Sequence, residues 1–593
     1  EKIGAYSFWN THGFPQPITP NIDNLASQGI RFNNVWSNPV CSPTRSLAMT
    51  GQYGFRTGIG GITDANEAVP GSEYDLPVDA SGPPRLPKML RTGEAGGYHS
   101  VALGKWHLDS VQQNAATDHP LSAKTGFEQH IGSAHNLGFE TITNGTQTLN
   151  TDYFTWKRLV NGSFPSPYIS VYSDPFNPSA ATYVNYQNYA TRSIANEAIE
   201  LLDADQVGDL AEPWLLYVAF NAAHEPFHIP PSNRSPESQV PVAGRLYDLT
   251  TTVSAMPTNP EMHRAMIEAM DIEIGNILGA LPSGAAAHTT VIFVADNGTP
   301  TLAAQSPYAG TGKVKGTLFE GGINVPFIVK SPRFDTYALN KGKESSALAT
   351  VADVFETVRA IAALKGATVA SGGGDDSESL VPILDDVNLG TAQALADDFL
   401  HPVIYAEFFK KNGIPSGQAS EPASIYDPLY QTSFYQRAAR DERYKLIRED
   451  GQDTQLYDLQ ANPLESSSGN LIASTVSEHL AAKAYLIGEM NKLVGIQRCA
   501  IGSNTIPENY RNDIDGDLHC DQDDRCVLIP DTDIVDPELA QADADADGYG
   551  NPCDPDFDNS APSNVVSILD FGTFKSCFIR QVVGPGPGGP DGS

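Results

Sequence analysis

The chain predicts an α/β fold, and three parallel observations carry that prediction. HSVALGKWHL follows the helix-patterned LPKMLRTGEAGGY, WLLYVAF follows YATRSIANEAIELLDA, and TTVIFVADNG follows EMHRAMIEAMDIEIGNILGAL. Helix followed by a short β-branched or apolar run is the pattern of a largely parallel sheet flanked by helices. Each run also ends in residues able to do chemistry: Lys105 and His107, then His224, then Asp296 and Asn297. Ligands of open α/β sheets gather at the carboxyl ends of the strands.

At 593 residues the chain is long enough for about three or four domains. It carries 71 acidic and 37 basic residues, a net charge of -34, which argues against nonspecific nucleic-acid binding. No apolar run approaches the ~18 residues of a transmembrane helix. No signal peptide is visible. Cys41 stands apart from Cys499, Cys520, Cys526, Cys553 and Cys577, which crowd into an Asp-rich tail. That tail predicts an exported protein, secreted or periplasmic, pinned by disulfides, with one of the five left over.

In chain order, Ile22, Leu25 and Ile30 form one apolar face of a short helix ending near Gly29. Next comes Cys41-Ser42-Pro43-Thr44-Arg45. Pro43 suits a first helical turn, which puts Cys41 at a helix N-terminus where the dipole favours negative charge. Arg45, four residues on, shares its face and offers a planar fork to a tetrahedral oxyanion. A Cys in such an electropositive setting is reactive, although a lone Cys reads equally as a small buried hydrophobe. Lys105 and His107 alternate on a strand and leave it on one face. GFEQHIGSAHN reads as a loop bringing Ser133 or His135 to the pocket, and residues 137 to 185 as loops and short strands around it. His224 and His228 follow a buried strand, where a His suits proton transfer near neutral pH. Asp296-Asn297 offers hard oxygens suited to Ca²⁺ or Mg²⁺, or else a plain Asn-Gly turn. GKVKGTLFEGG carries Lys315, with Lys313 read as surface charge.

From about residue 400, HPVIYAEFF, SFYQRAARDERYKLIRE and QLYDLQANPLES predict a small antiparallel sheet with a C-terminal helix. The expected divisions are a catalytic domain at 1–395, the antiparallel subdomain at 396–498, an Asp/Cys-rich tail at 499–580 and a flexible end at 581–593. In the tail, Asp513, Asp515, Asp517, Asp521, Asp543, Asp545, Asp547 and Asp554 alternate with small residues and predict oxygen cages for Ca²⁺.

The segment ITPNIDNLASQGIRFNNVWSNPVCSPTRSLAMTG, the GKWHL string, ADNG and GKVKGTLFEGG together closely resemble the type I, formylglycine-dependent sulfatases over roughly residues 5 to 495. The resemblance implies an alkaline-phosphatase-like mixed sheet flanked by helices. It implies oxidation of Cys41 to formylglycine by a maturation enzyme, and hydrolysis of a sulfate ester. By resemblance Arg45, Lys105 and Lys315 hold the sulfate, His224 protonates the leaving oxygen and His107 deprotonates the aldehyde hydrate. Ser133, His135 and His228 line the substrate pocket, and Asp296 and Asn297 bind the metal, Ca²⁺ or Mg²⁺. The usual remaining ligands are an Asp pair on a preceding strand that is not in this sequence. The tail resembles thrombospondin type 3 repeats. The expected substrate is a sulfated polysaccharide or oligosaccharide. Two other readings stand beside this one: a phosphonate or phosphate monoester hydrolase of the same superfamily, and a glycan-binding protein without turnover.

Overall fold

A computed structural model of the chain describes residues 15–57, 59–62, 85–91, 98–108, 126–133, 135–138, 141–144, 147–156, 158–162, 189–202, 213–232, 247–251, 254, 256–332, 340–364, 374, 376–385, 400–409, 435–449 and 452–500. By internal contacts the chain divides into Glu1–Ser474 and Thr475–Ser593. The second unit contributes the helix Ser477–Ala500. The tail residues expected to bind Ca²⁺, and Cys520, Cys526, Cys553 and Cys577, lie outside the described residues.

The first unit opens on the helix Pro20–Gln28, with Pro20 in its first turn. Ile22, Leu25 and Ala26 are buried against Ile328. Asp271, fully buried on the helix Asn259–Ala280, accepts the backbone N–H of Asn21 (3.2 Å) and of Ile22 (2.8 Å). Amides that the helix start leaves unpaired thus find a carboxylate.

Two mixed sheets follow. In the first, β1 (Ile30–Trp36) runs parallel to β10 (Lys343–Thr350) and antiparallel to β9 (Phe327–Lys330), which pairs with β8 (Val291–Val294). In the second, β2 (His99–Lys105) lies parallel to both β3 (Gln129–Ser133) and β7 (Trp214–Ala219), and β6 (Leu159–Gly162) pairs antiparallel with β3. β4 (Thr141–Asn144) and β5 (Gln147–Asn150) form a hairpin. The helices Ala190–Leu201, Asn259–Ala280 and Asp353–Leu364 supply apolar faces to this α/β body. β7 and β8 are edge strands of their sheets among the described residues. A cavity of about 2100 Å³ is lined by both, and it reaches from Leu216 and Ile292 to Lys105, His224 and Asp296.

The expected small sheet is antiparallel, in the order β11 (Ile404–Phe409), β12 (Tyr435–Arg440), β13 (Tyr444–Glu449) and β14 (Gln452–Asp458). Ile404, Ala438 and Ile447 share a core with Trp36, Leu318 and Ile323. The small sheet therefore packs directly behind the end of β1.

Two expectations change. Residues 126–136 are not a plain loop: Gln129–Ser133 is a buried strand between β2 and β6. Ile30 begins β1 and is not part of the preceding helix face.

Candidate active site

The helix Cys41–Thr50 starts at Cys41, after Val40 in an extended conformation. Pro43 sits inside the first turn, where its missing N–H costs no helical bond. Thr44 Oγ1 accepts from Asn38 N (3.0 Å) and donates to Val40 O (3.1 Å), fastening the entry turn. Gly51 closes the helix in the left-handed conformation at φ 63°. Cys41 is 1 % exposed, buried in the body of the protein.

Lys315 Nζ points at Cys41 Sγ, 3.4 Å away. The Lys315 amide is bonded to Thr299 O (3.1 Å) and the Gly316 amide to Pro39 O (2.9 Å), so the lysine loop lies on the cysteine turn. Arg45 lies beneath. Its Nη1 donates to the Lys105 carbonyl (2.7 Å) and Tyr217 Oη (3.3 Å), and its Nε (3.2 Å) and Nη2 (2.9 Å) both reach Asp296 Oδ2. Burial alone would lower the Arg45 pKa, but Tyr217, Asp296 and Cys41 outweigh it and raise it. Burial would likewise raise the Asp296 carboxyl, but Arg45, Lys105 and Lys315 hold it well below the usual carboxylate range. Lys105, 2 % exposed, is pushed down to about 8, chiefly by burial.

His107 departs from expectation. β2 ends at Lys105, and His107 lies beyond it with φ 58°, so it is not the alternate residue of a continuing strand. It still reaches the cluster, its ring edge-on to His135 at 5.9 Å. Burial first, then Lys105 and His135, drive its pKa well below 6.5. His224 is lowered for related reasons, burial and then Lys105 and Lys315. Its Nδ1 meets the Glu225 carbonyl (2.9 Å), which assigns the proton to Nδ1 and leaves Nε2 as the basic nitrogen.

The structure thus brings together Cys41, Arg45, Lys105, His107, His135, His224, Asp296 and Lys315. Ser133 is a different case: its hydroxyl accepts from Asn221 Nδ2 (3.0 Å), tying the ends of β3 and β7. His228 packs among Tyr153, Phe154 and Tyr189, and its Nε2 meets Tyr189 Oη at 2.9 Å. It belongs to an aromatic cluster behind the site and not to the group around Cys41. Lys313 is no simple surface charge, since its ammonium meets the carbonyls of Leu464 and Glu465. Sequence reasoning missed Tyr217, Asn221 and Tyr153. Tyr153 Oη donates to Asn221 O (2.6 Å) and His224 O (2.9 Å), holding the His224 turn. Tyr217 was visible only as a polar interruption of an apolar strand.

Among the described residues, the implied metal site fits in kind and not in number. Asn297 Oδ1 is buried without a hydrogen-bond partner, as a metal-facing oxygen would be, while its Nδ2 donates to Gly298 O (2.9 Å). Asp296 is held anionic beside it. Ca²⁺, however, takes about 6–8 oxygens, and among the described residues no group of three or more His, Cys, Asp or Glu could hold an ion.

The same conclusion about kinship comes from comparison with known proteins. Residues 3–363 match the Sulfatase family. Arylsulfatase J of Mus musculus is 27% identical over 345 residues, covering 58% of this chain and 48% of that protein. N-acetylgalactosamine-6-sulfatase of Homo sapiens is 27% identical over 395 residues, covering 63% of this chain and 62% of that protein. The chain spans about half to three fifths of the length of the curated relatives it matches. Among solved structures, Ps i-CgsB in complex with k-i-k-neocarrahexaose superposes with a TM-score of 0.53 at 22% identity, covering 83% of this chain and 89% of that one. BT4656 in complex with D-glucosamine-2-N,6-O-disulfate superposes with a TM-score of 0.50 at 18% identity, covering 84% and 97%. At such identities the two structures speak for the fold. The family match extends over more than half of the chain and takes in Cys41, Lys105, His224, Asp296 and Lys315: the chain belongs to the sulfatase family.

Proposed function

We propose that this protein hydrolyses sulfate esters of glycans, with Cys41, oxidised by a maturation enzyme, as its reactive position. The observation that carries the reading is the contact of Lys315 Nζ with Cys41 Sγ at 3.4 Å, on a helix start that also presents Arg45 and adjoins Lys105. One ammonium in contact with a buried atom at a helix N-terminus, with Lys105 and Arg45 close enough to feel its charge, suits a tetrahedral oxyanion.

The formylglycine made from Cys41 supplies, as its hydrate, the nucleophile for sulfur. The remaining chemistry is assigned to this chain's own groups. Lys105 and Lys315 neutralise and orient the sulfate oxygens. Arg45, anchored on Asp296 and the Lys105 carbonyl, fixes the Lys105 backbone and adds its charge beneath the site. His107, kept neutral by burial and neighbouring cations, accepts a proton at the nucleophilic position. His224 is assigned delivery of a proton to the leaving alcohol oxygen; burial, Lys105 and Lys315 disfavour its protonated form, so it takes up that proton only when the negative charge of the sulfate lies beside it. The net reaction adds water across the S–O ester bond, giving alcohol and sulfate.

The substrate class, sulfated saccharides, follows the names of the relatives and of the sugars bound in the related structures. The Asp-rich tail is proposed to bind Ca²⁺ and, with its cysteines, to mark an exported protein.

The test is sulfate release from a panel of sulfated glycans and an aryl sulfate, using protein from a host that oxidises this cysteine. Turnover is expected in the parent and lost in Cys41→Ala without change in thermal unfolding. Equal release by that variant excludes the mechanism. Glycan binding with no turnover in the oxidised parent favours the binding-only reading.

A further inference from the structure

Behind the site lies a buried ion cluster that the mechanism does not use. Lys445 on β13 is fully buried, its Nζ 3.0 Å from Glu320 Oε1 and 2.8 Å from Glu465 Oε1. Its ammonium also lies 4.8 Å from the centre of the Trp36 ring. Glu320 accepts from Trp36 Nε1 (3.1 Å) and Asn324 Nδ2 (3.0 Å), and Arg440 Nη1 stands 3.4 Å away. Glu465, fully buried, takes the Glu320 amide at 2.7 Å.

These contacts join two strips of chain. Trp36 ends β1 and leads into the turn that delivers Cys41, and Glu320 follows the loop that delivers Lys315. The strips are laced along their length: Ser37 N to Ile323 O (2.8 Å), Gly316 N to Pro39 O (2.9 Å), and Lys315 Nζ to Cys41 Sγ (3.4 Å). Lys445 and Glu465, both from the antiparallel subdomain, grip the outer ends of both strips. A buried ion cluster of this kind adds little net stability over an apolar packing. What it provides is a fixed geometry, because each charge has one well-defined place for its partners.

We propose that Lys445, with Glu320 and Glu465, is a positioning device that sets the separation of Lys315 from residue 41 and so the width of the sulfate seat. The inference rests on the sulfatase reading above. It gives the small antiparallel sheet a role in catalysis without any contact with substrate.

The test is a double-mutant cycle with Lys445→Met and Lys315→Ala, read as kcat and KM, with thermal unfolding followed in parallel. Lys315→Ala is expected to lower kcat/KM by about 10²–10³-fold. Lys445→Met is expected to lower it by about tenfold or more in the parent and by less than about threefold in the Lys315→Ala background, because the second loss is contained in the first. Lys445→Arg should recover part of the activity. Equal factors in both backgrounds overturn the proposal, as does full activity in Lys445→Met. Should Lys445→Met fail to fold, Glu465→Gln takes its place in the cycle; it retains an acceptor for the Glu320 amide and the Lys445–Glu320 pair, and the same coupling is expected. Should the oxidised parent show no turnover, the sulfatase reading fails first. The positioning proposal is then read from the affinity for inorganic sulfate in the same four proteins, with coupling supporting it and additivity overturning it.

Discussion

Arg45 spends its guanidinium on Asp296: Nε and Nη2 converge on one oxygen, Oδ2, at 3.2 and 2.9 Å, while Nη1 holds the Lys105 carbonyl at 2.7 Å. One side chain thus couples the cysteine helix, the end of β2 and the Asp-Asn turn after β8. Lys cannot reproduce three directed bonds from a planar fork. Arg45→Lys is therefore expected to lower kcat/KM by about 10²–10³-fold, about 3–4 kcal/mol at 1.36 kcal/mol per tenfold. Retention of more than about half of the parent activity would show that the Asp296 contact is not needed for turnover.

Lys105 gives the site an alkaline limb. Burial pushes it down to about 8, partly opposed by Cys41 and reinforced by Arg45. It is cationic below that pH and loses its charge above it, so sulfate affinity should fall as pH rises through about 8. Conversion of Cys41 to an uncharged aldehyde removes an influence that raises Lys105, and the limb then moves to lower pH. Profiles of kcat/KM from about pH 6 to about pH 10 should show this limb in the parent and not in Lys105→Arg, whose charge persists throughout. An identical limb in both proteins would assign it to another group.

Much of this geometry could be read from residue order, and the exceptions have physical causes. Pro43 and the four-residue step to Arg45 were enough to place Cys41 at a helix start, because both signals are local. The strand runs before His224 and Asp296 were legible for the same reason. β1 was not: IRFNNVW carries adjacent asparagines, and its partner β10 lies more than 300 residues away. β3 was mistaken for a loop because the Gln, His and Gly of QHIGS read as polar or turn-forming, whereas the strand is buried between β2 and β6, with His130 Nε2 bonded to Gly104 O (3.0 Å). Lys445 belongs to no motif, and its partners Glu320 and Glu465 come together only when the small sheet packs behind β1.

Glu407 links that small sheet to the cysteine turn and titrates near neutrality. Its amide donates to Asn38 Oδ1 (3.1 Å), while its carboxylate accepts from Phe55 N (2.8 Å) and Tyr435 Oη (2.9 Å). Burial raises it from 4.5 to about 7, with those hydrogen bonds opposing. The folded protein therefore binds this proton more tightly than the unfolded chain. The associated stability is complete below about 4.5 and is lost as pH rises through about 7. Glu407→Gln keeps an acceptor for Phe55 and removes the buried charge. The variant should match the parent within about 0.5 kcal/mol at acid pH. At mildly alkaline pH it should gain up to about 3 kcal/mol, at 1.36 kcal/mol per pH unit of altered proton affinity. Denaturant midpoints at the two pH values decide this, and a variant destabilised more at the alkaline pH than at the acid one would show that the carboxylate is needed in its charged form.

Gly104 explains why the lysine motif carries a glycine. Its φ is +87°, and a Cβ built there would sit 2.0 Å from the carbonyl oxygen of Ala219, its partner on β7. Backbone meets backbone at that point, so no side-chain rotation can relieve the contact. The next residue is Lys105, whose carbonyl anchors Arg45, so a shift of β2 away from β7 would also spread the cationic cluster. Gly104→Ala is expected to cost about 2–4 kcal/mol, combining a strained backbone with the clash, and to lower kcat more than the same loss of stability imposed elsewhere. Gly279 is the matched control: it lies in the last turn of the helix Asn259–Ala280, where a Cβ meets nothing within 4 Å. Gly279→Ala should stabilise the protein by about 0.5–1 kcal/mol and leave turnover unchanged. If both substitutions proved equally mild, the close approach of β2 and β7 at Gly104 could not be what fixes Lys105 at the site.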